Sequence, residues 1–546
     1  MSILKPPPAP QIPVTSPVLA QPPQRGRRIR PYQPVWIAAA AALLMELLWA
    51  RFMAVVGGDL SAGWAWADFA AAHPGSAYDL AWYGGIHPAS YSVLSPLVMA
   101  LLGVRTTAVV SGTVSAALLA VLAVRSGIRY PLPVALWGAF SLSCNLAAGR
   151  VTFALGVMFG LAAVVVARPD RTPGLRRAAG VAALSLLATL ASPVAGLFVE
   201  VVAAALLLTR RYRTGCALAV PPPLVVLGSS LLFPFRGVDP ISLPTVLVSG
   251  GCAVGVALLV PHRWTRVRAG ALVYTLGTVL TWVFATPIGS NVQRLALLFG
   301  GVVLLAALCA GAVRVGRRPL LLLTAFAATV LWTVNGNLVG IPGSTPSRVG
   351  TPLVAELQRL HADRARVEAV PMLTHWESWR LASTVELARG WNRQLDVQRN
   401  PLFYDGSLTP ERYHAWLQRW AVRYVVLPAT ATDSAGEAEA ALIRHGVPWL
   451  REVWHDRAWR LYEVADAQPL ASQPATVRSA GAAEVVLTVP VAGQVTVRIP
   501  WSPWLTANGP RGACLSRDGD WTRLTAPAPG VYRIGTGYRW PRGTPC

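Results

Sequence analysis

The feature that most constrains this chain is a series of long apolar segments separated by short arginine clusters. Apolar runs recur at about 35–56, 104–125, 131–149, 151–167, 178–191, 195–209, 215–234, 243–260, 269–286, 295–313 and 319–340. Most approach the roughly 20 apolar residues that a membrane-crossing helix needs. Only 13% of residues are charged and 53% are hydrophobic, whereas a soluble domain carries about 25% charged residues. The pattern predicts an α-helical polytopic membrane protein with about eleven spans. The stretch around Ser192-Pro193 reads either as two short tilted helices or as one re-entrant element.

Charge placement then gives a direction. The formal net charge is +23, but the arginines form no continuous patch interleaved with aromatics, which argues against nucleic acid as a partner. They gather instead between spans, at Arg27, Arg28 and Arg30; Arg168, Arg171, Arg176 and Arg177; Arg210, Arg211 and Arg213; Arg263, Arg266 and Arg268; and Arg314, Arg317 and Arg318. Putting the first cluster inside puts all of them inside, as the positive-inside rule requires. Residues 1–34, rich in proline and polar groups, read as a disordered cytoplasmic tail. Residues 35–340 read as a transmembrane domain, and an odd number of spans sends residue 341 onward outside. The expected location is the plasma membrane of a bacterial-type cell, with membrane lipids as surroundings.

From residue 341 the composition changes and long apolar runs cease. Thr409-Pro410-Glu411 reads as a helix start, with a threonine cap and proline in the first turn. Arg423–Leu427 reads as a buried strand stopped by Pro428, followed by a helix at 434–445 and strands near 449–454 and 458–464. Residues 341–470 are therefore expected to form an extracytoplasmic α/β subdomain. Residues 471–546 alternate apolar and polar positions, as in Val485–Val489 and Val495–Ile499, and are expected to form a small β-sandwich. Cys144, Cys216, Cys252 and Cys309 lie in apolar segments and read as small core residues. Cys514 and Cys546 lie where an outer compartment permits a disulfide.

The first outer loop, 57–103, carries Asp59, Asp68 and Asp79 and no lysine or arginine. It also carries Trp64, Trp66, Phe69, Tyr78, Trp82, Tyr83 and Tyr91, and tryptophan and tyrosine favour a membrane–water interface. Helices are expected over 60–72 and from Pro96 to Leu102. Asp59 follows Gly57-Gly58 at the end of the first span. There it is either a partly desolvated base or the cap of the next helix. His87 is either a structural hydrogen-bonding residue or a contact to a sugar or phosphate oxygen. Arg150 and Arg294 lie on the side that the positive-inside rule depletes. Guanidinium groups there suit a lipid-linked phosphate, or snorkel to headgroups. Arg294 stands in Gly289-Ser290-Asn291-Val292-Gln293-Arg294, with Asn291 a further contact. Glu46 and Glu200 fall inside apolar segments, Arg51 being a candidate partner for Glu46. In the outer region, His375–Glu377 and Arg389–Asp396 suit carbohydrate or an ordinary packed loop. The first-loop carboxylates could hold one hard divalent cation.

Taken together, the early acid in Gly57-Gly58-Asp59, the stretches Tyr83–Pro88 and Tyr91–Pro96 before the second span, the span count and the terminal outer region resemble the GT-C superfamily of membrane glycosyltransferases. The resemblance implies an enzyme that takes a sugar from a polyprenyl-phosphate donor and passes it to a cell-envelope glycan or lipid acceptor at the outer face. It further implies Asp59 as general base, with Arg294 and Arg150 stabilising the phosphate leaving group; Asp68, Asp79, His87 and Asn291 are further candidate substrate contacts. The sequence departs from that pattern in Asn145–Thr152, which carries no second acid. Two other classes remain open: a membrane transporter, and a non-catalytic glycan-binding or scaffold protein with the same architecture.

Overall fold

The computed structural model describes residues 32–54, 58–168, 174–310, 316–339 and 350–546. The tail expected over residues 1–34, up to residue 31, lies outside these, as do Gly57, Arg171, Arg314 and the expected boundary at 341.

Each apolar segment carries helix. The bundle comprises α1 (Gln33–Phe52), α4 (Val104–Arg125), α5 (Pro131–Ala147), α6 (Val151–Ala167), α7 (Leu175–Ala191), α8 (Pro193–Leu208), α9 (Tyr212–Ala219), α10 (Pro221–Leu232), α11 (Leu243–Leu259), α12 (Thr265–Val283), α13 (Arg294–Ala310) and α14 (Arg317–Leu338). The stretch between α1 and α4 adds α2 (Gly58–Ala72) and α3 (Ser95–Leu102). Among the described residues, five helical stretches are long and apolar enough to cross a membrane: Gln33–Phe52, Val104–Arg125, Tyr212–Leu232, Gly289–Ala310 and Arg317–Leu338. Large apolar side chains such as Leu44, Leu48, Leu224, Leu227, Leu231, Leu258 and Leu276 face outward. Such a surface is out of place in water and at home in lipid. The chain is a membrane protein.

Small residues set the bundle's close packing. Ala38 and Ala42 of α1, Ala116 and Ala120 of α4, and Ala135 and Ala139 of α5 are fully buried, each pair four residues apart. That spacing lines one face with methyl groups and lets helix backbones approach closely. At Ser192 the chain turns extended, and its side chain accepts a hydrogen bond from the Ala195 amide. The segment there is thus two helices, α7 and α8.

Arg125 donates to the Val165 carbonyl, Arg268 to that of Ala257, and Arg318 to those of Leu259 and Val260. These arginines sit at helix ends remote from the end where α1 leads into Asp59.

Beyond the bundle lie α15 (Thr351–Arg359), α16 (Trp376–Arg380), α17 (Arg393–Arg399), α18 (Pro410–Arg419) and α19 (Ser434–His445). They surround a five-stranded sheet in the order β2 (Glu386–Leu387), β1 (Arg366–Ala369), β3 (Val422–Pro428), β5 (Trp459–Val464), β4 (Leu450–His455). Strand β1 runs parallel to β2 and β3, and β3 runs antiparallel to β5. Thr409 caps α18 by accepting from the Arg412 amide. Alternation along β3 sends Tyr424 and Val426 to one face and Val425 and Leu427 to the other.

The second face is covered by Tyr413, Trp416 and Leu417 of α18 and by Ala440 and Ile443 of α19. The first is covered by the first outer loop. Trp66, Phe69, Trp82 and Tyr83 join Val367, Trp376, Leu387, Val426 and Trp459 in one core. Trp82 pairs with Leu387 as an added parallel bridge at the sheet edge, and its indole donates to the Ser378 carbonyl. Trp66, Trp82 and Tyr83 are at most 1% exposed. This corrects the expectation that they sit at the membrane–water interface: they fasten the loop to the outer sheet.

Residues from 476 onward form β6 (Thr476–Ala480), β7 (Glu484–Val489), β8 (Gly493–Val497), β9 (Leu505–Asn508), β10 (Cys514–Asp518), β11 (Trp521–Ala526) and β12 (Gly530–Thr536). Two sheets, β10-β11-β8 and β6-β7-β12-β9, enclose Val485, Leu487, Val495, Val497, Leu515, Leu524, Tyr532 and Ile534. Cys514 and Cys546 are joined in a disulfide. Of the other cysteines, Cys144 is buried and Cys252 and Cys309 are partly so, but Cys216 is exposed on the bundle surface rather than packed in a core.

Glu46 is buried, but its partner is not Arg51. It accepts from the Ser143 hydroxyl at 2.8 Å, while the Arg51 guanidinium lies over the Phe52 ring. One carboxylate oxygen of Glu200 is buried without a hydrogen-bond partner among the described residues.

Candidate active site

Four separate parts of the chain meet at the first turn of α2. Asp59 is the acid of that turn, where the positive end of the helix dipole favours a negative charge. Its carboxylate is 3.2 Å from the Arg294 guanidinium and 3.8 Å from that of Arg150. Asp59 is 27% exposed at the side chain, against 17% for Arg150 and 18% for Arg294. The group is therefore reachable, yet mostly shielded from water. The hydroxyl of Tyr91 donates to the Asp59 carbonyl at 3.3 Å.

Each arginine is aimed by its own element. Arg294 opens α13 directly after the short turn Gly289–Gln293, and its guanidinium stacks over Phe153 of α6. Arg150 lies in the tight turn between α5 and α6, and donates to the Asn337 side chain of α14 at 2.6 Å. The Asn337 amide in turn donates to the Thr333 carbonyl. Gly149 makes this turn feasible. Its φ is +79°, and a Cβ there would lie 2.9 Å from both the Cβ and the backbone N of Leu60. The turn thus rests directly on the residue after Asp59.

The subdomain that follows the bundle roofs the site. His375 and Trp391 are stacked with ring centres 3.4 Å apart. Gly58 passes under them so closely that a Cβ would come within 2.8 Å of the His375 ring. Ser61 fixes the contact by donating to the Thr374 carbonyl at 2.7 Å. Beside the roof, Arg393 holds Asp433 at 2.8 Å.

Electrostatically, two guanidinium groups face one carboxylate, and all three side chains are mostly shielded from water. Burial, and then the neighbouring Arg294, lower the Arg150 guanidinium from its ordinary value to about 10, which still leaves it charged at neutral pH. Burial and the Asp59 charge push the Tyr91 hydroxyl well up, so it stays a neutral donor. Two cationic forks beside a carboxylate suit an anionic ligand of phosphate type.

The remaining expected site residues lie elsewhere. Asp68 is exposed and accepts from the Trp379 indole at 2.7 Å. Asp79 is buried and accepts from the Ala81 amide at 2.9 Å. His87 bonds Tyr538 and the Ala89 amide and stacks on Phe233. Burial drops its imidazole to about 3, so it is neutral. Asn291 turns its amide back onto the Ile288 carbonyl at 2.9 Å. These four are engaged in holding loops together, and the three first-loop carboxylates form no common cation site. Among the described residues no group of three His, Cys, Asp or Glu side chains clusters as a metal-ligand set. Sequence reasoning missed Asn337 and Gly149. An asparagine near the end of an apolar helix was the available signal for the first.

The family described as "Domain of unknown function (DUF8823)" matches residues 472–546, the β-sandwich. No curated protein matches the sequence. Among solved structures, the chain is similar to the arabinofuranosyltransferase AftD from Mycobacteria, with 16% identity and a TM-score of 0.46, covering 84% of this chain and 43% of that one. It is also similar to an oligosaccharyltransferase of Archaeoglobus fulgidus tethered to an acceptor peptide, with 10% identity and a TM-score of 0.46, covering 74% of this chain and 69% of that one. The chain thus spans less than half the length of the first.

Proposed function

We propose that this protein is a membrane glycosyltransferase that moves a sugar from a polyprenyl-phosphate donor to a cell-envelope glycan or lipid acceptor. The carrying observation is the Asp59 carboxylate held between Arg294 and Arg150 at 3.2 and 3.8 Å, roofed by His375 and Trp391. In this reading the chain crosses the plasma membrane about eleven times, with the arginine clusters cytoplasmic and the site on the outer face.

The donor's phosphate takes over the two guanidinium groups and so frees the Asp59 carboxylate. The acceptor hydroxyl then attacks the anomeric carbon, its proton passing to Asp59. The bond from that carbon to the phosphate oxygen breaks, and Arg294 and Arg150 stabilise the charge on the departing polyprenyl phosphate. The aromatic roof offers a face for the transferred ring.

A second reading has one observation in its favour. The turn from Asn145 to Thr152 brings Arg150, and no second acid, to Asp59. A site of that charge would bind a lipid-phosphate sugar without turning it over.

The experiment is label transfer by the purified protein in nanodiscs, with a panel of radiolabelled polyprenyl-phosphate sugars and an envelope lipid extract. Transfer with stoichiometric release of polyprenyl phosphate supports the enzyme. Tight donor binding with no transfer from any donor would favour the binder, and movement of intact donor or solute across the bilayer would favour a transporter.

A further inference from the structure

A cavity of about 280 Å³ lies away from Asp59, where the first outer loop, the segment after α10, the end of α17 and the β-sandwich meet. A second hollow of about 130 Å³ adjoins it, sharing Tyr78, Arg399 and Trp501. Its walls are fixed: the Trp504 indole donates to the Leu232 carbonyl, and the Val238 amide donates to the Gln394 carbonyl.

The lining contains three arginines, Arg236, Arg399 and Arg517, and no aspartate or glutamate. Among the described residues none of the three makes an ion pair. Arg399 donates to the Tyr83 carbonyl and Arg517 to that of Gly519, both neutral acceptors, and Arg236 is exposed, with no partner among the described residues. Several arginines of this part of the chain do have a carboxylate partner, as Arg366 with Glu386, Arg393 with Asp433, Arg419 with Asp520, Arg451 and Arg423 with Glu463, and Arg533 with Glu484, while others, such as Arg412 and Arg498, bond to carbonyls away from this cavity. Burial lowers the Arg399 guanidinium to about 10, the cost of holding a cation there without a counter-charge. Arg236 and Arg517 are exposed and Arg399 is partly buried, so three guanidinium groups without a carboxylate partner open onto one small space, a setting that favours an anion. Trp501, Phe235 and Tyr78 supply flat apolar faces beside them, which suit a ring. The volume is at the small end of ligand pockets and fits one or two small rings.

We propose that this cavity binds an acidic sugar residue, one carrying a carboxylate or a phosphate on its ring. The acid engages Arg236, Arg399 and Arg517, and the ring lies against Trp501 and Phe235. The site is separate from the Asp59 centre, and its test reads binding alone.

The full-length protein in detergent is titrated calorimetrically with glucuronate, glucose 6-phosphate, glucose, inorganic phosphate and a short-chain phosphatidic acid. The double variant Arg236→Gln/Arg517→Gln is run beside it, since both side chains are exposed and their loss leaves the core intact. Expected are binding of both acidic sugars, glucose and phosphate each about tenfold weaker or more, and a loss of roughly tenfold to a hundredfold in the double variant at unchanged thermal stability. Acidic sugars binding no better than glucose, or equally well to the double variant, would overturn the proposal. So would phosphate or phosphatidic acid binding as tightly as glucose 6-phosphate, which would make this a bare anion or headgroup site.

Discussion

Replacing Gly149 by alanine tests whether the α5–α6 turn positions Arg150. Two costs follow from the structure. At φ +79° an L-residue is strained, by about 1–2 kcal/mol. The added methyl also meets the Cβ and backbone N of Leu60 at 2.9 Å. The backbone of α2 cannot yield as a side chain would, so overpacking adds about 1–3 kcal/mol. The variant should lose about 2–5 kcal/mol in total. A built-in control exists. Gly127 has φ +67° with no atom near its missing Cβ, and it follows α4 at the end remote from Asp59. Gly127→Ala pays the strain alone. In detergent thermal-shift assays Gly149→Ala should therefore unfold at clearly lower temperature than Gly127→Ala. Because the clash pushes Arg150 away from Asp59, sugar transfer should fall by about 10- to 100-fold in Gly149→Ala and stay near wild type in Gly127→Ala. Equal stability and equal transfer in the two variants would refute this account of the turn.

Three further outcomes are expected. Burial raises the Asp79 carboxyl from its ordinary value of 3.8 to about 7. The folded state therefore holds a proton that the unfolded state releases, and stability falls as pH rises from about 4 to about 7. At about 1.4 kcal/mol per pH unit the loss is capped at about 4 kcal/mol. Asp79→Asn, which keeps an oxygen for the Ala81 amide, should raise the melting temperature at pH 8 and leave it unchanged at pH 3.5; thermal shift against pH reads this. Arg389 is buried among Glu368, Glu439 and Asp396, so Arg389→Met should cost about 3–5 kcal/mol by stranding their charge, seen as protease sensitivity of the outer region. Arg294→Gln should weaken binding of polyprenyl phosphate by roughly tenfold or more, measured by equilibrium binding in nanodiscs.

The helical, membrane character of the bundle was legible because lipid imposes long apolar runs on the sequence itself; among the described residues five helical stretches are long and apolar enough to cross. The helix from Thr409 and the strand ending at Pro428 were legible because cap and breaker residues act locally. The convergence of Asp59, Arg150 and Arg294 was readable only as three charges set apart from the arginine clusters; their distances depend on packing among α2, α6 and α13. The role of Trp66, Trp82 and Tyr83 was hidden. An amphipathic ring suits both a membrane interface and a core with one polar contact, and the deciding partner of Trp82, Ser378, lies 296 residues away. The same holds for Glu46, whose partner Ser143 lies on another helix, and for Asp68, Asp79, His87 and Asn291. Their residue types suited substrate contact, yet their bonds hold loops together.

The most direct measurement is single-turnover sugar transfer by wild type and Asp59→Asn, with donor affinity determined on the same preparations. The carboxamide keeps the shape of the side chain but is no base. Asp59→Asn should lose about 100-fold or more in transfer with donor affinity kept or improved, since two arginines are released to the phosphate. Undiminished transfer by Asp59→Asn would show that this carboxylate, set between Arg294 and Arg150, does not take the acceptor's proton.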